Sequence, residues 1–154
     1  MFRAHDVFAG LDLGYTGNWV AGGVKEVSAY VRHNAPVPLT FFMRIAPTGG
    51  FPGAFLATAS EVPANAWTKV AFNVTPGSPQ LQFVEGGTHN DIFTSVANLQ
   101  FGPSLPSTAI LPRTGTYTFD LDKVSVSLVP EPSAGLLATL GAVALAARRR
   151  RQSS

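Results

Sequence analysis

The sequence predicts an all-β body, an antiparallel β-sandwich, followed by a single C-terminal transmembrane helix. Short segments of alternating apolar and polar residues recur roughly every 10 to 15 residues between Gly- and Pro-rich turns, the spacing of an antiparallel sandwich. No segment of the body repeats its apolar residues with the 3.6-residue period of a helix. Residues 129–154 then change character, with an uncharged apolar run closed by four arginines. Residues 1–128 are therefore read as the β body and residues 129–154 as a tail.

Residues 1–23 are loop-like, because Gly10, Gly14, Gly17, Gly22 and Gly23 break any period. Within them Phe8, Leu11, Leu13, Tyr15 and Trp19 are expected to form a short strand or cover an edge. Residues 24–32 read as a strand with Val27, Ala29 and Val31 on one face and Glu26, Ser28, Tyr30 and Arg32 on the other. After the turn over Asn34 to Pro38, residues 39–46 alternate most cleanly: Leu39, Phe41, Met43 and Ile45 against Thr40, Phe42 and Arg44. Residues 55–59 form a short strand, and residues 67–74 place Thr68, Val70, Phe72 and Val74 together. Pro76, Gly77 and Pro79 mark a turn before a strand at 81–85. Residues 86–91 read as an open polar loop, 92–101 as a strand, and 102–112 as a patternless stretch with three prolines. Tyr117, Phe119 and Leu121 alternate, and Val124, Val126 and Leu128 alternate in the opposite parity. A bulge at Asp122-Lys123 would return both sets to one face.

The tail opens with Pro130-Glu131-Pro132. The apolar run that follows, Ser133 to Ala147, is 15 residues long. As a helix it would span roughly 22 Å, short of a bilayer core of about 30 Å. Snorkelling of the arginine stems extends its reach. Gly135, Ala138, Gly141, Ala142 and Ala144 keep such a helix thin and weakly hydrophobic, as suits a temporary anchor. Arg148, Arg149, Arg150 and Arg151 stop and orient it, since a basic cluster beside a span stays cytoplasmic.

A Pro-Glu-Pro triplet, a short apolar helix and a terminal arginine cluster, in that order over Val129 to Arg151, resemble the PEP-CTERM sorting signal of Gram-negative and related bacteria. The resemblance implies a protein exported by a signal peptide and held in the inner membrane by its tail. It further implies processing by an exosortase, a membrane cysteine transpeptidase, and transfer to the cell surface or extracellular matrix. Pro130, Glu131 and Pro132 would be what that enzyme reads. Met1 to Asp6 contain no apolar signal-peptide core. The expectation is thus an N-terminally incomplete chain, with a signal peptide and one or more strands missing.

The formal charge of +2 and the pI near 9.3 belong to the tail. It holds four of the eleven basic residues and one of the nine acidic ones, leaving seven and eight in the body. A net charge of −1 there offers no footprint for nucleic acid. The chain has no cysteine, which excludes disulfides, thiolate metal sites and cysteine nucleophiles.

Candidate chemistry is sparse. Asp120 and Asp122, two apart on one side of a strand, are candidate ligands for a structural Ca²⁺, or simply a solvated face. His89, Asn90 and Asp91 form a polar cluster, while His5 and His33 stand alone. No metalloprotease, nucleophile-elbow or phosphate-loop pattern occurs. Trp19, Tyr15, Tyr30, Phe42, Trp67 and Tyr117 are the aromatics for a sugar-stacking platform. Tyr30 and Phe42, on the outward parity of their strands, are the candidate glycan contacts. The stretches 67–72 and 120–126 are loosely similar to strands of jelly-roll, carbohydrate-binding-module-like domains.

The expected function is non-catalytic: an exported surface or matrix protein, sorted through its tail, with polysaccharide as candidate ligand. Two alternatives stay open. One is a polysaccharide-acting hydrolase, which needs two of Glu61, Glu85, Asp91, Asp120 and Asp122 within about 5–9.5 Å in a cleft. The other is a permanently tail-anchored membrane protein.

Overall fold

The alternation of apolar residues is realised as two facing antiparallel sheets in the computed structural model, which describes residues 2–5, 15–105 and 115–128. The strands in chain order are β1 (Phe2–His5), β2 (Val24–His33), β3 (Thr40–Pro47), β4 (Gly53–Ala57), β5 (Thr68–Asn73), β6 (Leu81–Val84), β7 (Val96–Ser104) and β8 (Phe119–Leu128). One short helix, α1 (His89–Phe93), precedes β7. The larger sheet has the order β1-β7-β3-β4-β6 and the smaller β5-β2-β8. Every pairing is antiparallel, and β2 and β3 alternate between a core face and an outer one, whereas β7 is buried on both faces from Val96 to Gly102.

The core lies between the sheets. Val27, Ala29 and Val31 of β2 and Val70 and Phe72 of β5 meet Phe41, Met43 and Ile45 of β3, Leu56 of β4, and Leu99 and Phe101 of β7. Phe72 and Phe101 cross this boundary edge to face, with centroids 5.8 Å apart. The expected faces of β2 and β3 are those observed. Ser28 is on the outward side of β2 yet buried, where Ala71 and Ser125 are its direct cross-strand partners.

The bulge in β8 is also present. Ser28 pairs with Ser125 and Tyr30 with Asp122, so three steps on β8 match two on β2. Lys123 takes the extra turn at φ 49°. Phe119, Leu121, Val124 and Val126 all pack against the core as a result.

Several expectations are corrected. Residues 2–5, read as loop, form β1 and pair with β7. Residues 86–91 are not an open loop, and 92–101 are not one strand. Thr88 caps α1, whose Ile92 and Phe93 are buried, and β7 starts only at Val96. That strand then runs on through Gly102 and Pro103, because Phe42 and Phe41 of β3 stand directly opposite them. Trp19 lies in no strand, and Phe8, Leu11 and Leu13 lie outside the described residues. Trp19 is buried, with its backbone N–H donating to the Phe93 carbonyl at 2.9 Å.

Candidate surface site on the three-stranded sheet

The inward pull of Val27, Ala29 and Val31 fixes Tyr30 and Arg32 on the outer face of the smaller sheet. Their neighbours follow from register. Tyr30 stands between Lys69 of β5 and Asp122 of β8, and Arg32 stands beside Asp120. Arg32 donates from Nε and Nη2 to Asp120 Oδ2, at 2.9 and 2.7 Å. Its guanidinium carbon also sits 4.8 Å from the centroid of the Trp67 ring. Lys123, placed by the bulge, brings its Nζ to 5.7 Å from the Tyr30 ring. Lys69 reaches Glu26 at 4.0 Å.

Two aromatic rings thus share this face, Tyr30 at 39% and Trp67 at 45% exposure. A cation lies over each. Exposed ion pairs are worth about 0–1 kcal/mol and exposed cation–π contacts about 0.5–1 kcal/mol. Such contacts orient the side chains without locking them, so a ligand can share or displace them. Arg32 and Asp120 add planar donors and an acceptor beside the rings.

Phe42 is elsewhere. It projects from the outer face of the larger sheet and stacks on Phe55 at 5.2 Å. Its ring lies over Gly102, where a Cβ would stand 2.6 Å from it. Tyr30 and Phe42 are therefore on opposite outer surfaces and belong to no common platform. The remaining aromatics are committed to packing. Tyr15 donates its hydroxyl to the Val124 carbonyl at 2.9 Å, and Tyr117 packs against the core. Trp67, which meets Arg32, is the second exposed ring of this face, and outward parity at β2 and β3 did not single it out. It lies one residue before β5, and only the cross-strand register shows which residue of β2 it meets.

The polar cluster at 89–91 has structural work. His89 Nε2–H donates to the Val74 carbonyl at 2.9 Å, and the ring stacks on Phe93 at 4.3 Å. Asp91 closes a reciprocal cap with Thr88: its carboxylate accepts from the Thr88 hydroxyl and backbone N–H at 2.6 and 2.9 Å. These two bonds hold its pKa below the ordinary 3.8. His33, the buried last residue of β2, donates from Nε2 to the Val62 carbonyl. Among the carboxylates, Glu85 stands 3.9 Å from Arg44 Nη2, and Asp122 Oδ1 accepts from the Lys123 backbone N–H. Glu61 lines a separate groove of about 220 Å³ between the residues after β4 and the edge strand β5. Asp120 and Asp122 do face the same side, as expected. Among the described residues, no three His, Asp or Glu side chains gather as metal ligands.

Fold and surface together define a β-sandwich-like body with an aromatic and charged outer face. Residues 128–151 match the family model of the PEP-CTERM protein-sorting motif. The motif implies an exported, membrane- or surface-associated protein that exosortase processes. No curated protein and no solved structure matches the chain. Pro130, Glu131, Pro132, the run 133–147 and Arg148 to Arg151 lie outside the described residues. No helix among the described residues is long and apolar enough to cross a membrane.

Proposed function

We propose that the chain is a non-catalytic surface or matrix protein whose three-stranded sheet contacts glycans through Tyr30 and Trp67, with Arg32 and Asp120 bonding sugar hydroxyls. The observation behind this reading is the exposure of both rings on one face, beside an ion pair that offers both donors and an acceptor. Aromatic faces suit the C–H patches of sugars, and fixed polar groups beside them supply orientation. In the same reading residues 133–147 span the inner membrane in transit, with the arginines on the cytoplasmic side. Exosortase then acts near Pro130-Glu131-Pro132, and the body goes to the surface or matrix.

A non-catalytic role is favoured because the carboxylates that a hydrolase would use are spread over different elements: Glu61 lines a groove beside β5, apart from the others. Asp91 caps a helix, while Asp120 and Glu85 face arginines on different sheets.

The test has two arms. In affinity electrophoresis through matrix polysaccharide, Trp67→Ala and Tyr30→Ala should each abolish most of the retardation, and Phe42→Ala should leave it intact. Retardation that survives both substitutions, or release of reducing sugar by the wild type, rejects the glycan-contact reading. Separately, the intact mass of the native protein reports on the tail. Material from outside the inner membrane should lack the residues beyond the Pro-Glu-Pro region. A chain still ending at Ser154 in the inner membrane would make the tail a permanent anchor.

A further inference from the structure

We propose that the end of the sandwich at which β8 finishes rests on the phospholipid surface while the tail holds the chain in the membrane. This rests on reading residues 133–147 as a membrane segment, and adds to it where and how the body sits.

Chain length sets the first constraint. β8 ends at Leu128, which is also where the sorting motif begins. Five residue steps separate Leu128 from Ser133, the start of the apolar run. Fully extended they reach at most about 18 Å. The polar headgroup layer itself is about 5–7 Å deep on each side of the hydrocarbon core. The folded body can therefore stand at most about 11–13 Å clear of the headgroups, which keeps the end at Leu128 close to the lipid.

Register identifies that end. Leu128 pairs with Val24, and Glu26 pairs with Asn73, so the start of β2 and the end of β5 lie beside the end of β8. The turn over residues 18–23 closes there through Val24 N–H to the Trp19 carbonyl, and Trp19 N–H bonds Phe93 of α1. These segments enclose a shallow hollow of about 210 Å³, lined by Trp19, Val20, Lys25, Pro76, His89 and neighbours.

The chemistry of this end suits an anionic interface. Val20 at 45% and Leu128 at 59% are two of the large apolar side chains that the body leaves exposed, and Lys25 is exposed between them in the chain. Among the described residues, no carboxylate lines the hollow. The carboxylate of α1, Asp91, is held by Thr88, and that of Glu26 reaches toward Lys69. Apolar side chains beside a lysine are the combination that adsorbs to anionic lipid, through buried apolar area and attraction to headgroups.

The chain has no cysteine, so a single introduced thiol can carry a fluorophore at a chosen site. Full-length protein is inserted into phosphatidylethanolamine–phosphatidylglycerol vesicles that carry headgroup-quencher lipid. Val20→Cys reports on the proposed face. Ala66→Cys, an exposed site beyond the far end of the ten-residue β2, about 30 Å away, is the reference. Quenching is expected to be at least about twice as strong at residue 20 as at residue 66, and to weaken with added salt or with Lys25→Glu. Equal quenching at the two sites overturns the proposal. So does quenching at residue 20 that appears only when exosortase is present, which would assign the face to that enzyme. A chain that fails to float with the vesicles at all removes the anchor reading itself, an outcome distinct from equal quenching of a floating chain.

Discussion

Single residues set the geometry of both outer faces. Gly102 is glycine because the Phe42 ring crosses β7 above it, and a Cβ would stand 2.6 Å from that ring. Gly102→Ala should expel the ring and destabilise the fold by about 1–3 kcal/mol, as overpacking does, seen as a lower melting temperature. Phe42→Ala combined with it should recover part of the loss, since the clash is gone. Asp91 sets a pH dependence. Its folded pKa is depressed by the Thr88 bonds, so its stabilising effect is fully present above 3.8 and is lost as pH falls through the lower folded value. Thermal melts of wild type and Asp91→Asn should differ at neutral pH and converge in acid below 3.8. A difference that persists unchanged into that range would contradict the capping role.

At the scale of elements, β8 is the instructive strand. Its two apolar sets have opposite parity, and the bulge at Lys123 reunites all of them but the exposed Leu128 against the core. Lys123 adopts φ 49°, a left-handed conformation that side chains enter at a cost of about 1–2 kcal/mol. Lys123→Val, with a branched Cβ, should lower stability by about 1–2 kcal/mol in denaturant titrations, whereas Lys123→Gly should not. Equal losses in both would place the cost in the Lys123–Tyr30 contact instead. The same strand shows what a sequence pattern reveals: the phase shift between Leu121 and Val124 is visible along the chain. α1 shows the opposite. Thr88 and Asp91 stand three apart, but five residues of helix are too short to display a period. Ile92 and Phe93 consequently read as the start of a strand. β1 was hidden for another reason. Four residues show little alternation, and a strand that short forms only because β7 supplies an edge to pair with.

At the scale of the molecule, two sheets of unequal width share one core, and Phe72 and Phe101 join them across it. Phe72→Ala should destabilise by about 3–5 kcal/mol, because it removes a fully buried ring from the boundary between sheets. A loss under about 1 kcal/mol in equilibrium unfolding would mean that the two sheets do not depend on this contact for their packing. The last strand of the body ends at Leu128, the residue at which the match to the sorting motif begins.

The sorting motif, the β class, the faces of β2 and β3 and the bulge were all legible along the chain. Each depends on neighbours in sequence: a period of two, a phase shift, or an ordered run of residue types. The strand order, the pairing of β1 with β7, and the placing of Tyr30 with Trp67 and apart from Phe42 were decided only by the tertiary structure. Outward parity says that a side chain leaves the core, but a sandwich has two outer surfaces. Which one a residue occupies depends on which sheet its strand joins, and that is settled by pairings between residues far apart in the chain.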